Sequence, residues 1–220
     1  MTLLRVIDTE TCGLQGGIVE VASVDVVDGQ IVNPMSDLIS PDRPISRQAM
    51  AIHRITPAMV RGKPTIEEAI ARYHGSSHYV AHNASFDRRM LPAMPGEWIC
   101  TMTLARQVWP GRKYGNQALR ESLQLQVEPP EDLYAHRALY DCYVTAALLI
   151  RIMETSGWDA AEMVTRMQPA SGSEHLPFGK YRGQRIADIA ERDPGYLRWL
   201  LDNVADLRRD LRSALIKHLG

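Results

Sequence analysis

The 220-residue chain has no surplus of basic charge: 25 Lys and Arg stand against 26 Asp and Glu, a formal net charge of −1. Broad, sequence-independent duplex binders carry a strong excess of cations. A long clamp along a nucleic acid is therefore excluded, and only a small footprint at a strand end remains compatible. Cysteine is scarce as well. Cys12, Cys100 and Cys142 have no metal-ligand spacing and cannot all pair, which points to a reducing cytoplasm. Residues 1–11 lack the apolar stretch of a signal peptide, and no later run approaches a membrane span, so no membrane partner is expected. Internal repeats are absent. What is present is ordinary for a globular protein, 45% hydrophobic and 23% charged, and long enough for one well-cored domain plus an appendage.

Leu3 to Ile7 is a nearly continuous apolar run, as a central strand buried on both faces requires. Ile18 to Val27 reads as a second strand, and Asp28-Gly29 is a hairpin signal leading into a third, Gln30 to Ile39. Pro41 to Pro44 breaks the pattern before a short helix, Ser46 to His53. Thr65 and Glu68 have the spacing of a capping box at the start of a helix reaching Tyr73. Tyr79 to His82 and Trp98 to Thr101 are short strands, each followed by a helix, the first from Ala84 to Leu91. Asn116 to Leu123 and Arg137 to Glu154 complete the helices of this region. Three hairpin-joined strands followed by alternating strands and helices predict an α/β domain, a mixed five-stranded sheet flanked by helices.

After about Thr165 the composition changes. Residues 168–176 are polar, small and turn-rich, which is linker chemistry. The expected organisation is thus a domain over 1–167, a linker over 168–176, and a small, mainly helical C-terminal domain over 177–220. In that last segment Asp193 and Pro194 open a helix as cap and first-turn residue. Leu207, Leu211, Leu215 and Leu219 predict another. Residues 171–220 carry 9 Lys and Arg against 7 Asp and Glu, whereas the preceding 170 residues carry 16 against 19. The basic side chains and the Phe178–Arg185 turn suit either phosphate contact and base stacking or simple solvation of a surface. A protein partner for 177–220 is a third use. The four Trp residues read as core or interface rather than as stacking platforms.

Three short motifs carry the chemistry: Asp8-Thr-Glu10, His82-Asn-Ala-Ser-Phe-Asp87, and His136 followed five residues later by Asp141. Four carboxylates and a histidine can hold two hard divalent cations and move one proton, the requirements of two-metal phosphodiester hydrolysis. Asp8 and Glu10 leave one face of a strand with Cα atoms roughly 6.5 Å apart, a span that suits two metals; two acids fraying into solvent is the plainer reading. Asn83 is a natural N-cap, with Phe86 directed into the core and Asp87 turned back towards the sheet. Asp87 alone also fits an acid complementing a helix dipole. Five residues along a helix turn a side chain by about 140°, so His136 belongs in the loop before its helix and Asp141 in the second turn. Taken singly, His136 fits an exposed neighbour of the cap. Glu20 shares a strand face with Ile18, Ala22 and Val24, as a partner of the site or as a strand-end acid.

The three motifs, in this order, resemble the DEDD family of 3′→5′ exonucleases in its histidine-bearing branch. The segments Asp8 to Leu14 and His136 to Tyr143 are most similar to its bacterial exodeoxyribonuclease members. The similarity extends over residues 3–155, including Ala49 to Thr56, and into the tail. It implies a ribonuclease H-like fold, with Asp8, Glu10, Asp87 and Asp141 as ligands of two Mg²⁺ or Mn²⁺ ions and His136 as the general base. The expected substrate is the 3′ end of single- or double-stranded DNA, and the product a nucleoside 5′-monophosphate. The family also offers an RNA-trimming enzyme of the ribonuclease T or oligoribonuclease type, and a polymerase-associated binding subunit. Thr11, His53 and Asn83 are implied as substrate-binding residues, although His53 equally suits capping its own helix.

Overall fold

The computed structural model describes residues 2–167, 174–204, 207 and 209–219. The chain divides into two compact units, residues 1–167 and 168–220. In the first, β1 (Leu4–Thr11) lies at the centre of a five-stranded sheet. β2 (Ile18–Val27) and β3 (Gln30–Leu38) extend it antiparallel on one side, while β4 (His78–Ala81) and β5 (Glu97–Cys100) continue it parallel on the other. The order is β3-β2-β1-β4-β5. This is the mixed sheet that the sequence predicts. β1 and β2 are almost wholly buried because helices cover both faces.

Between β3 and β4 come α1 (Arg47–His53), α2 (Pro57–Val60) and α3 (Ile66–Ala69). The capping box of Thr65 and Glu68 forms as expected, but the helix tightens into a 3₁₀ turn over Ile70–Tyr73 instead of continuing as α. The Tyr73 hydroxyl reaches under the sheet to the Val21 carbonyl and to Asp37, which shapes that last turn. α4 (Ala84–Met90) follows β4, and α5 (Thr101–Val108) follows β5. Next are α6 (Asn116–Ser122), the long α7 (Ala138–Ser156) and α8 (Ala160–Met167).

One sheet face, through Val6, Ala22 and Val24, packs against α7, with Leu104 and Leu119 in the same core. The opposite face, through Ile7, Val21 and Ile39, packs against Ile70 and Tyr73. Strand alternation therefore assigns Asp8 and Glu10 to the α7 side of the sheet.

The second unit has its own core of Leu176, Ile186, Ile189, Leu197, Leu200, Leu211 and Leu215. It contains α9 (Ile186–Arg192), α10 (Pro194–Asn203) and α11 (Arg209–Leu219). Asp193 caps α10 from its side chain and Pro194 occupies the first turn, as expected. Leu207 lies outside α11, although its side chain still joins the core. Trp199 is not a core residue: 52% of its surface is exposed. Residues 168–173 of the expected linker lie outside the described residues, as does Arg208. Among the described residues no helix is long and apolar enough to cross a membrane.

Candidate active site

Asp8, Glu10, Asp87, His136 and Asp141 line one cleft of about 400 Å³. It opens past the carboxyl ends of the parallel strands β1 and β4, where open α/β sheets commonly bind ligands. Asp8 stands opposite Ala22 of β2, and Glu10 opposite Glu20. Immediately after Glu10 the ladder slips at a bulge, so regular pairing ends where the cleft begins. Thr9 points the other way, and its hydroxyl donates to Asp87 Oδ1 at 2.9 Å.

Asn83 corrects one expectation. It stands at the head of α4, yet its side chain makes no capping bond; its backbone is left-handed instead, with φ +71°. Asn tolerates that conformation better than most residues, and it reverses the chain sharply from β4 into α4. The Asn83 side chain thus lines the cleft, where it accepts a bond from the Ser85 hydroxyl at 3.3 Å. Phe86 differs too. It is half-buried and lines the cleft rather than the core, with the Arg89 guanidinium 5.6 Å from its ring centroid. Asp87 is turned inward and 97% buried, its exposure being only 3%.

His136 precedes α7 as expected, but the helix starts at Ala138, so Asp141 falls in the first turn and not the second. His136 is itself left-handed, with φ +68°. That turn aims its backbone N–H at Asp141 Oδ2, at 2.9 Å, while Gln117 Nε2 donates to Oδ1 at 3.0 Å. The imidazole stays exposed. One of its nitrogens and carboxylate oxygens of Glu10 and Asp141 lie within 4.8 Å of one another.

Glu20, opposite Glu10 on β2, is a buried acid with partners of its own. Its carboxylate accepts from Arg137 Nε at 3.0 Å and from the Ala138 N–H at 2.9 Å, the first turn of α7. Glu20 is thereby fixed as a support of the site: it ties the loop holding His136 and the helix holding Asp141 to the sheet. The sequence does not reveal Arg137, Asn116 or Gln117 in this role. The one available signal is that a buried acid such as Glu20 demands a cation.

The electrostatics of the cleft run the other way. Burial, and then the neighbouring carboxylates of Asp87, Asp141 and Glu10, push Asp8 well above the usual carboxylate range. Burial and the nearby Asp141, Glu20 and Asp87 raise Glu10 to about 8, with Arg137 opposing. Burial raises Asp87 to about 7 against the Thr9 hydrogen bond, and it raises Asp141 despite the bond from His136. Asn116 adds a further oxygen: its amide N–H groups bind the Asp141 carbonyl and the Thr145 hydroxyl, leaving Oδ1 buried with no protein donor among the described residues. Clustered oxygen donors without a balancing side-chain cation fit hard divalent metal ions.

Thr11 and His53 lie outside this cleft. With Glu10, Leu14, Ala49 and Ile52 they line an adjoining, mostly apolar cavity of about 670 Å³, and Glu10 is common to both. The Thr11 hydroxyl is bonded to the Gly13 carbonyl. His53 is buried, with Nδ1 accepting from the Ile55 N–H at 2.9 Å and Nε2 donating to the Thr11 carbonyl at 3.2 Å. Its ring pins the end of α1 to the end of β1, and burial lowers its pKa.

A family model described as exonuclease matches residues 6–149, and one described as exodeoxyribonuclease X-like C-terminal matches residues 176–205. The chain is 64% identical over 217 residues to exodeoxyribonuclease 10 of Escherichia coli strain K12, covering 99% of both chains. It is 30% identical over 165 residues to the DNA polymerase III subunit epsilon of Aquifex aeolicus, covering 68% of this chain and 79% of the relative. Among solved structures, exonuclease X in complex with 5′ overhanging duplex DNA superposes with a TM-score of 0.73 at 70% identity, over 74% of this chain and 98% of that one. Exonuclease I of E. coli, at 16% identity and a TM-score of 0.59 over 71% of this chain and 42% of that one, shares the fold.

Proposed function

The chain belongs to the exonuclease family, and on that premise we propose that it is a metal-dependent 3′→5′ exodeoxyribonuclease. It removes nucleoside 5′-monophosphates one at a time from the 3′ ends of single- or double-stranded DNA. The observation that carries this reading is the convergence of four buried or half-buried acids and an exposed histidine in one cleft. Full-length similarity to an exodeoxyribonuclease favours DNA over RNA as substrate. Retention of every acid favours hydrolysis over a purely binding, polymerase-associated role.

Asp8, Glu10, Asp87 and Asp141 would hold two Mg²⁺ or Mn²⁺ ions, oxygen-seeking cations that suit this donor set. When bound, such ions activate water as a nucleophile and offset charge on the leaving 3′ oxygen. His136 takes the proton from the attacking water, its imidazole being exposed to the cleft and its backbone fixed by Asp141. Thr9 and Gln117 hold two of the carboxylates in place from their uncharged sides. The apolar cavity beyond Glu10 receives the base of the terminal nucleotide, with Thr11 and His53 shaping its wall by backbone and ring contacts, and Asn83 faces the sugar-phosphate from across the cleft. The three cysteines are buried and unpaired, which supports a cytoplasmic setting.

The test is digestion of matched DNA and RNA oligonucleotides labelled at the 5′ end, with Mg²⁺ and with chelator. DNA should shorten as a ladder from its 3′ end only when the metal is present. Metal-independent cleavage, or faster shortening of RNA, would overturn the proposal.

A further inference from the structure

The second unit carries a rigid aromatic platform with cations around it. Tyr181 meets Tyr196 edge-on at 5.2 Å, and Tyr196 stacks with Trp199 at 6.2 Å and an interplanar angle of 17°. The turn that presents Tyr181 is locked onto α10. The Tyr196 hydroxyl accepts from the Lys180 N–H at 3.0 Å, and the Tyr181 hydroxyl donates to Asp193 at 2.8 Å. Gly179, with φ +77°, is required here, because a Cβ would fall 2.1 Å from the Tyr196 hydroxyl. Lys180 Nζ lies 4.7 Å and the Arg192 guanidinium 4.9 Å from the Tyr181 ring centroid.

Not all of this is needed for folding. Trp199 is 52% exposed and Phe178 37%, outside the apolar core of the unit. Lys180 is held by Asp193, and Arg192 binds Gln184. Arg182, in the same turn as Tyr181, and Arg185 and Arg198 are exposed and have no ion pair among the described residues. A half-exposed indole held by stacking, on a unit that also exposes guanidinium groups without ion pairs, is the chemistry that single-stranded nucleic acid requires: a π-face for a base and cations for phosphates. A duplex hides its base faces. An apolar protein groove has no use for three unpaired arginines.

We propose that the Tyr196–Trp199 stack and Arg182, Arg185 and Arg198 form a second DNA-binding surface, carried by the second unit, that takes single-stranded DNA. The nuclease reading supplies the kind of ligand, but the surface stands on its own residues, and it is measured by binding without hydrolysis.

The experiment uses full-length protein in EDTA, with fluorescence anisotropy of a labelled single-stranded oligonucleotide long enough to extend well beyond the cleft. Trp199→Ala should weaken binding by at least about fivefold, the loss of one stacked base. Trp199→Phe should keep most of the affinity. Trp199→Leu, apolar but without a π-face, should not restore it. Replacing Arg182 and Arg185 by Gln should lower the salt slope by about 0.7 for each lost phosphate contact. Circular dichroism melting checks that each variant is folded. Full affinity in the Leu variant, or unchanged affinity and salt slope in all of them, overturns the proposal and assigns the face to a protein partner. Because no turnover is measured, failure here leaves the exonuclease reading intact, and failure of DNA digestion leaves this one intact.

Discussion

Strand β1 carries buried charge at both ends, and the two ends handle it in opposite ways. At its start, Arg5 lies against Asp25 of β2, with Nε donating to Oδ1 at 2.7 Å and Nη2 to Oδ2 at 2.9 Å. Nη1 donates to the carbonyls of Tyr73 and His74. Charge and hydrogen bonds are both satisfied within the protein. At its far end Asp8 and Glu10 meet Asp87 and Asp141, and Arg137, the guanidinium that opposes the build-up at Glu10, is already held by Glu20. A neutralised buried pair is tolerated by the fold and becomes costly only when one partner is removed, whereas an uncompensated cluster of acids weakens the fold unless a cation neutralises it. The difference separates compensated from uncompensated charge within a single strand.

The comparison is broken most severely at the cleft. Asp8→Asn should lower kcat by about three orders of magnitude or more, a loss of roughly 4 kcal/mol of transition-state stabilisation. The same substitution in EDTA should leave the melting temperature unchanged or raised, since it removes one of four repelling acids. A folded Asp8→Asn protein with normal turnover would take Asp8 out of the chemistry.

Breaking the other end should give the reverse pattern. Arg5→Met strands Asp25 without a counter-ion, which costs on the order of 3–5 kcal/mol and lowers the melting temperature by about 10 °C. Activity below the transition should stay within a few-fold of wild type, because Arg5 touches nothing in the cleft. Adding Asp25→Leu should recover part of the lost stability. A large drop in kcat for a well-folded Arg5→Met protein would mean that the two ends are not independent.

Glu20 lies between these cases, as a neutralised acid that ties the first turn of α7 to the cleft end of the sheet. Glu20→Gln keeps the shape but loosens Arg137 and the first turn of α7, so kcat should fall about tenfold, near 1.4 kcal/mol, with KM little changed. His136→Ala should lower kcat as well, and should remove the acidic limb of the pH–rate profile. Glu20→Gln should lower the rate while leaving that limb in place. A Glu20→Gln protein that also loses the limb would put Glu20 among the proton-transfer groups.

These roles were not equally legible in the sequence. The central strand announces itself by its apolar run, and Asp8 and Glu10 follow from strand alternation, because a period of two assigns a face without any tertiary knowledge. The capping box at Thr65 and the proline-led start of α10 are likewise local. Asn83 and His136 are different. Each owes its place in the cleft to a left-handed backbone, which helix propensity does not signal, so local propensity points to an ordinary cap at Asn83 and a later Asp141. The Glu20–Arg137 contact spans 117 residues and becomes visible only once β2 and α7 are known to pack together. For Trp199 the sequence leaves core and interface open, and its 52% exposure removes the first.

The smallest effect tests the electrostatic half of the comparison directly. Asp8, Glu10 and Asp87 have their folded pKa values raised, Glu10 to about 8 and Asp87 to about 7. The folded protein therefore keeps protons that the unfolded chain has already lost above about pH 4.5. Their contribution is complete below that point and is lost as pH rises through the folded values. His53 and His82 act with the opposite sign, because burial lowers both. They favour the folded state more as pH rises, but only up to the ordinary histidine range near pH 6.5. Between about pH 7 and 7.5 the histidines contribute little slope, and ordinary thiols, with a pKa near 8.5, are still largely protonated. In EDTA the melting temperature should fall across that window by a few degrees. Saturating Mg²⁺ should raise it and flatten the slope, since cation binding favours the ionised acids. Glu10→Gln should flatten the slope without metal. A melting temperature that climbs with pH in EDTA, or a slope indifferent to Mg²⁺, would show that the cleft acids are compensated after all, and the contrast between the two ends of β1 would fail.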